Sequence, residues 1–509
     1  MDKGEDTYPD FSMMQWIQDG CRLQPDKSLF VTATDSYSYS EVYDMVNSLA
    51  FFLEEDLGLE GHSYIVLSAP NVVQIPVLLA AAQLLDLRVV LLSTTTGERE
   101  YKRALELVKP KLVISSESAH REAAQIIAPS AKIMTLADDV EGMPSIEEAI
   151  ASCAGEAPSA FNANAAAHII VFTSGSTGDP KAVVNRASSF ALNGIALSKW
   201  LDITSSDTVY LPVPLIHVFG LVGTYATLAA RATLATAPKF NAEEACGIID
   251  SRNVSVHLGV PTNFVRELKC NSDGKWDFSS LRTGLVAGAD CPPAVLEEFE
   301  RLYGCRIMQS YGMSETAATL TVTPLELPVE ERIRTTGFCI DGASIKTDPD
   351  TGEILCKTAS LMEGILQPDG SVDLPLDDGW FRTGDVGKID DRDMLSVTGR
   401  LKDVIVRGGI NIYPSEIEVL YEDHEGVSEC RVLPMDDEEL GQRTVLVVAT
   451  SPDSSIGPDE LREYAKGKID KCKVPDFVVT MNSLPYLNNG KVDKVALEKM
   501  VRRKVGSQS

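Results

Sequence analysis

None of the ten cysteines, at 21, 153, 246, 270, 291, 305, 339, 356, 430 and 472, forms a Cys-x-x-Cys pair. A zinc knuckle or a dithiol redox centre is thereby disfavoured. Wide spacing in a long chain predicts reduced, mostly buried thiols. The six histidines are scattered as well. Positive charge is scarce: 46 Lys and Arg face 74 Asp and Glu, a net charge of -28. That balance argues against nucleic acid or an anionic membrane as the main partner. Long apolar runs are missing. The most apolar stretch, VVQIPVLLAAAQLL at 72–85, is bounded by Asp86 and Arg88 and reads as a buried helix, too short to span a bilayer. The opening MDKGEDTYPD is acidic where a signal peptide needs a basic segment, and the closing VGSQS is not a peroxisomal Ser-Lys-Leu address. A soluble, cytoplasmic protein without a membrane span is expected. No repeat of solenoid length is visible.

What is present is alternation. A chain of 509 residues exceeds one ordinary core, so two or more domains are expected. YSYS (37–40) leads into an amphipathic helix with Ser40 as the expected N-cap. YIVLS (64–68), RVVLL (88–92) and KLVIS (111–115) read as strands, with helices at 72–85 and 98–108. The pattern resumes at HIIVFTS and runs through TVYLPVP, a helix near 219–230, VSVHLGV (254–260), LRTGLVAG (281–288) and CRIMQSYG. Such spacing predicts an α/β protein whose large N-terminal domain is built of helix-covered, largely parallel sheets. After residue 320, charged turns and short strands suit a small β subdomain. From about 403 a small α+β C-terminal domain is expected, with helices at 414–424, 459–469 and from 493, and strands at 428–433, 444–450 and 476–481. The boundary is placed in GRLKD (399–403), giving domains 1–400 and 401–509.

One loop stands out. TSGSTGDPKAV (173–183) follows the apolar run HIIVF. Composition alone fits a flexible linker. Its position after a sheet strand equally fits an anion site, with glycines admitting backbone N–H groups, hydroxyls donating and Lys181 supplying a point charge. It is not a Walker A loop, because Gly175 and Gly178 are three apart and Ala182 follows Lys181.

TSGSTGDPK resembles the phosphate loop of the acyl-adenylate-forming family, which includes acyl-CoA synthetases, nonribosomal peptide adenylation domains and beetle luciferases. Further motifs match in order: PLIHVFGL (214–221), YGMSET (311–316), GWFRTGD (379–385), GRLKDVIVRGGINIYPSEIE (399–418) and NNGKVDK (488–494). The resemblance covers nearly the whole chain. It implies ATP-dependent activation of a carboxylic acid to an acyl-adenylate with release of pyrophosphate, then thioester formation. Both partners in the first step are anions, so the site must screen repulsion and stabilise charge at phosphorus.

The resemblance also implies roles. Thr173, Ser174, Gly175, Ser176, Thr177, Gly178 and Lys181 would hold the leaving phosphates. Glu315, with Thr177, would bind Mg²⁺ through hard oxygen ligands. Tyr311 would stack on adenine, with Gly312, Met313 and Ser314 beside it and the turn holding Gly288, Ala289 and Asp290 along the same base. Asp385 would accept the ribose hydroxyls, and Arg400 would donate there. His217 would shape access to the acyl carboxylate rather than act as acid or base. Lys491 would be the catalytic lysine, delivered by a mobile C-terminal domain that turns about Lys402. In the second arrangement, Gly408 and Gly409 would let a pantetheine arm approach the backbone. Phe219, Val260, Gly288, Gly312 and Met313 would form the acyl wall.

LIHVFG has no Asp to pair an α-amine, which argues against an amino acid, and Val218 stands where catechol-type aryl activators usually carry Asn. The motifs look most like those of acid:CoA ligases. With no carrier domain after Lys491 in this sequence, free CoA or a separate acyl carrier protein is expected as the acceptor, and the acidic charge favours CoA. The alternatives are a free-standing loader of a carrier protein, a luciferase-type oxygenase and a non-catalytic adenylate-binding homologue. Retention of Lys491, Glu315 and Asp385 speaks against the last.

Overall fold

The structure, a computed structural model, describes residues 12–137, 140–159, 167–173, 181–289, 291–407, 410–422, 424–437, 440–450, 456–466, 468–469, 473–486 and 492–505. The chain divides into two compact units, residues 1–344 with 357–376, and residues 345–356 with 377–509.

The first unit holds two large sheets. One has eight strands, ordered Val372–Asp373, Gly364–Leu366, Lys181–Arg186, His168–Thr173, Arg88–Leu91, Tyr64–Ser68, Leu112–Ser115 and Lys132–Met134. The last five are parallel neighbours, and antiparallel pairing begins where Lys181–Arg186 folds back on His168–Thr173. The other sheet has nine strands. Its parallel centre runs Arg306–Tyr311, Thr283–Val286, Val256–Gly259, Thr208–Tyr210, Thr233–Ala235 and Ser28–Val31. Helical crossovers cover such sheets, so their central strands are buried on both faces. Leu112–Ser115, Val256–Gly259 and Thr283–Val286 are buried at every position. The apolar run at 72–85 is a helix over Gln74–Leu84, buried throughout.

The start of an early helix corrects the expected cap. The helix begins at Tyr39 and its N-cap is Ser38, not Ser40. Ser38 Oγ accepts from Glu41 N at 3.2 Å, and Ser38 N donates to Glu41 Oε2 at 2.7 Å. Ser-x-x-Glu satisfies two end donors reciprocally, and Ser40 has Tyr43 where the returning acceptor would have to be.

In the second unit, Trp380–Ile389 and Leu395–Arg400 form an antiparallel hairpin, flanked by Glu353–Thr358. A further sheet runs Ile410–Ile412, Ile405–Arg407, Gly441–Thr450 and Val427–Asp437, with Phe477–Met481 parallel to Gly441–Thr450. Strand alternation sends Leu446 and Val448 to one face, with Ile417, Tyr421, Leu461 and Ala465 from helices Pro414–Glu422 and Pro458–Ala465. Val445 and Val447 go to the other face, under Leu497 and Val501 of Lys494–Val505. The expected α+β module is present, with helix ends displaced by a few residues.

Nine of the ten cysteines are described, and all nine are free thiols, with Cys153, Cys246, Cys291, Cys305, Cys356 and Cys430 buried. Among the described residues, no helix is long and apolar enough to cross a membrane. Ser38→Ala should cost about 1 kcal/mol, read as a lowered urea midpoint, whereas Ser40→Ala should leave it nearly unchanged.

Candidate functional site

The loop that raised the phosphate question joins two neighbouring strands. Thr173 and Lys181 are register partners, so the intervening residues connect the ends of one antiparallel pair. Ser174, Gly175, Ser176, Thr177 and Gly178 lie outside the described residues, as do Asp290, Gly408, Gly409 and Lys491. Thr173 and Lys181 are partly buried at the loop's two ends.

Tyr311 closes the strand Arg306–Tyr311, and Glu315 sits in the single turn Ser314–Thr316 that follows. The chain there is tightly folded. Leu320 N donates to Tyr311 O at 2.8 Å, and Ala318 N to Met313 O at 3.1 Å. A Cβ on Gly312 would fall 1.5 Å from the Ala318 carbonyl oxygen, so only glycine fits. Thr316 Oγ1 donates to Met313 O at 3.1 Å. The turn is held from outside by Asn193, wholly buried in helix Ala187–Trp200, whose Nδ2 donates to Thr319 O at 2.8 Å and Thr316 O at 3.2 Å. Ser360 Oγ donates to Thr316 O at 3.1 Å.

The segment after Ser360 joins this turn to the loop's strand pair. Met362 N donates to Glu315 O and Glu363 N donates to Val184 O, both at 2.8 Å. Strand Lys181–Arg186 also packs on Ser314–Thr316. Glu315 is thereby fixed beside the strand that begins at Lys181. The Glu363 side chain then clamps the base of the same pair: His168 Nε2 donates to Oε2 at 2.6 Å and Arg186 Nε to Oε1 at 2.5 Å. His168 and Arg186 are themselves register partners. The bond from His168 lowers the Glu363 carboxyl to about 2, with Arg186 adding to it and burial opposing.

His217 is the exposed N-cap of the buried helix Val218–Ala229, with Phe219 half-buried in the first turn. Val260 caps Pro261–Cys270, its N–H donating to Asn263 Oδ1 at 2.9 Å. Gly288, at φ +86°, lies against it: a Cβ there would be 3.5 Å from Val260 Cγ1. Ala289 follows Gly288 in the turn after strand Thr283–Val286. Val260 and Gly288 therefore adjoin. Behind them lies a pair that no motif signalled. His257 Nε2 and Glu267 Oε2 are 2.7 Å apart and wholly buried, against Phe264.

In the second unit, Asp385 and Arg400 face each other across the hairpin, with Arg400 Nε 3.1 Å from Asp385 Oδ1. The carboxylate is nearly buried and the guanidinium exposed. Thr383 Oγ1 accepts from Asp385 N at 3.1 Å and donates to Ile354 O at 2.8 Å. Gly384 N donates to Glu353 Oε1 at 3.0 Å, while Arg382 holds Glu353 Oε2 at 2.7 Å and Asp348 Oδ2 at 3.0 Å. The backbone bond from Thr351 and the Arg382 guanidinium lower the Asp348 carboxyl to about 2. Lys402 is exposed in the turn Leu401–Asp403, and Asp403 pairs with Lys494 at 2.5 Å. Just before Gly408, Arg407 makes a bidentate pair with Asp476 at 2.8 and 3.0 Å. Burial would raise the Asp476 carboxyl, but Arg407 and Thr444 outweigh it and hold it below its ordinary range.

The sign of the Glu363 effect follows from its lowered carboxyl. Its stabilisation is complete above the unfolded value of 4.5 and is lost as pH falls through about 2. Glu363→Gln should therefore be less stable than the parent at about pH 6, and the gap should narrow as the pH falls. Urea unfolding across that range checks it.

Comparison with known proteins identifies the family. Residues 17–366 match the AMP-binding enzyme family, and residues 416–491 match the AMP-binding enzyme C-terminal domain. The chain is 28% identical over 482 residues to a 2-succinylbenzoate–CoA ligase of Bacillus licheniformis, covering 92% of this chain and 96% of that protein. It is 30% identical over 359 residues to the mitochondrial medium-chain acyl-CoA ligase ACSF2 of Danio rerio, covering 66% of this chain and 58% of that protein. The crystal structure of ATP-bound MatB from Rhodopseudomonas palustris is similar at a TM-score of 0.85 and 26% identity, covering 96% of this chain and 98% of that one. A chain that matches over its first 366 residues and again in its C-terminal module belongs to the AMP-binding enzyme family.

Proposed function

We propose that the protein is an ATP-dependent, AMP-forming carboxylic acid:CoA ligase. Its substrates are a small-molecule carboxylic acid, ATP and CoA. The acid attacks the α-phosphate of ATP, pyrophosphate leaves, and the acyl-adenylate passes its acyl group to the CoA thiol with release of AMP. The observation that carries this reading is the fixing of Glu315 beside the strand that starts at Lys181. In this account Glu315 supplies a hard oxygen donor to the site that the loop ending at Lys181 would form. Similarity along nearly the full length of a CoA ligase supports the same reaction.

Each residue has a task in this account. Residues 173–178 and Lys181 grip the leaving phosphates. Glu315 and Thr177 would hold Mg²⁺, which when bound lowers the repulsion between the two anions. Among the described residues no three His, Cys, Asp or Glu side chains converge as a metal cage. One carboxylate plus substrate phosphates and water is the usual set for this ion, so the donors fit. Tyr311, Gly312, Met313 and Ser314, with Gly288, Ala289 and Asp290, receive the adenine. Asp385 accepts from the ribose hydroxyls, and Arg400 donates to the same sugar. His217, at a helix N-terminus, shapes access to the acyl carboxylate, and Phe219, Val260, Gly288, Gly312 and Met313 surround the acyl chain. Lys491 neutralises charge developing at the α-phosphate. Residues 1–400 serve substrate binding, and 401–509 form a module that turns at Lys402 to exchange Lys491 for Gly408 and Gly409. The cytoplasm is the proposed location, in keeping with the free thiols of the nine described cysteines.

The test is incubation with ATP, Mg²⁺, CoA and a panel containing malonate, octanoate, benzoate and 2-succinylbenzoate. AMP, pyrophosphate and an acyl-CoA should appear together with at least one acid. Thioester formed only when an acyl carrier protein replaces CoA would reassign the acceptor, and release of ADP would refute the reading. Lys491→Ala should lower adenylate formation by about two orders of magnitude or more, while premade adenylate still gives thioester. Gly409→Leu should do the reverse, keeping adenylate formation and losing transfer to CoA.

A further inference from the structure

We infer that Asn71 is a positioning residue for the acid half of the reaction, acting through the segment that carries His217. The inference rests on the proposed ligase function. Asn71 is almost fully buried, follows strand Tyr64–Ser68 of the eight-stranded sheet, and belongs to no motif considered above. Its side chain reaches the segments that follow strands Thr208–Tyr210 and Thr233–Ala235 of the nine-stranded sheet. Nδ2 donates to Val213 O and to Thr236 Oγ1, each at 2.9 Å. Oδ1 accepts from Leu215 N at 2.8 Å. Both amide protons and the carbonyl oxygen are therefore used, two of the three bonds flanking Pro214.

The chain from Asn71 to His217 is short. Pro214 O accepts from His217 N at 3.1 Å, and His217 O accepts from Leu221 N at 2.8 Å, which starts the helix. The backbone on either side of Pro214 thus refers the His217 N-cap to the Asn71 amide. Asn71 is itself tied back: its N–H donates to Pro238 O at 3.2 Å, and Thr236 Oγ1 donates to Leu211 O at 2.6 Å. A planar amide using three hydrogen bonds in different directions fixes orientation as well as distance. Few alternatives serve: Asp lacks the donors, Ala lacks everything, and Gln is one methylene too long for a closed site. What Asn71 fixes is a backbone path, so its removal should loosen where His217 stands without touching the nucleotide groups at Tyr311 and Glu315.

The test uses the full-length protein and the panel acid that gives the fastest ATP–pyrophosphate exchange. Asn71→Ala should raise KM for the acid about tenfold or more while KM for ATP stays within about twofold. Thr236→Val removes one of the three bonds and should shift the acid KM in the same direction by less. In a His217→Ala background, Asn71→Ala should add little further to the acid KM, because its effect runs through His217. Hydrogen exchange should quicken in the peptide covering 211–217 of Asn71→Ala. With an active parent, an unchanged acid KM, an equal rise in both KM values, or full additivity with His217→Ala would overturn the inference. A parent that exchanges pyrophosphate with no acid would overturn the ligase reading itself, and this inference with it.

Discussion

Two adjacent N–H groups, those of Met362 and Glu363, carry the arrangement of the first unit's site. They bond carbonyls far apart in the chain, Glu315 O and Val184 O, each at 2.8 Å. One dipeptide thereby locks the turn that would hold a divalent cation against the strand pair that would hold phosphates. The tie is made by the backbone carbonyl of Glu315 and not by its side chain. The Glu363 side chain adds a second lock at the base of the pair, through His168 and Arg186. Asn193 and Ser360 brace the same turn from beneath. The proposed reaction needs cationic and hard-oxygen groups held before charge develops, since reorganising dipoles during reaction would raise the barrier.

The second unit solves a like problem with ion pairs. In the proposed account Asp385 accepts from the ribose while nearly buried, and both its carboxylate, facing Arg400, and the backbone around it are held. Arg382 binds Glu353, and Glu353 in turn receives Gly384 N. The Arg407–Asp476 pair plays the corresponding part for the strand leading to Gly408. Both arginines are bidentate or branched donors, so lysine would not replace either.

Much of this was legible in the sequence. The strand–helix alternation foretold the largely parallel sheets, and the five ordered motifs pointed to Glu315, Tyr311, Asp385 and His217. Val260 and Gly288 came out as neighbours although 28 positions separate them in the chain. The bracing groups were not legible. Asn71 bonds residues 142 and 144 positions away, and Glu363 bonds partners 195 and 177 positions away. Local patterns carry no trace of such pairings, and a lone Asn or Glu reads as surface. The N-cap error had a different origin. Ser38 and Ser40 both precede an apolar helix, and only Glu41, three residues after Ser38, tells them apart. His257 and Glu267 gave no outward sign because they sit in ordinary strand and helix patterns.

The central claim is that this chain joins an acid to AMP before any thiol takes part. Acid-dependent exchange of labelled pyrophosphate into ATP, measured with Mg²⁺ but without CoA, addresses it directly. The account predicts exchange that requires an acid and stops when Glu315 is replaced by Ala. Exchange that proceeds equally well without acid, or none with any acid until CoA is added, would contradict it.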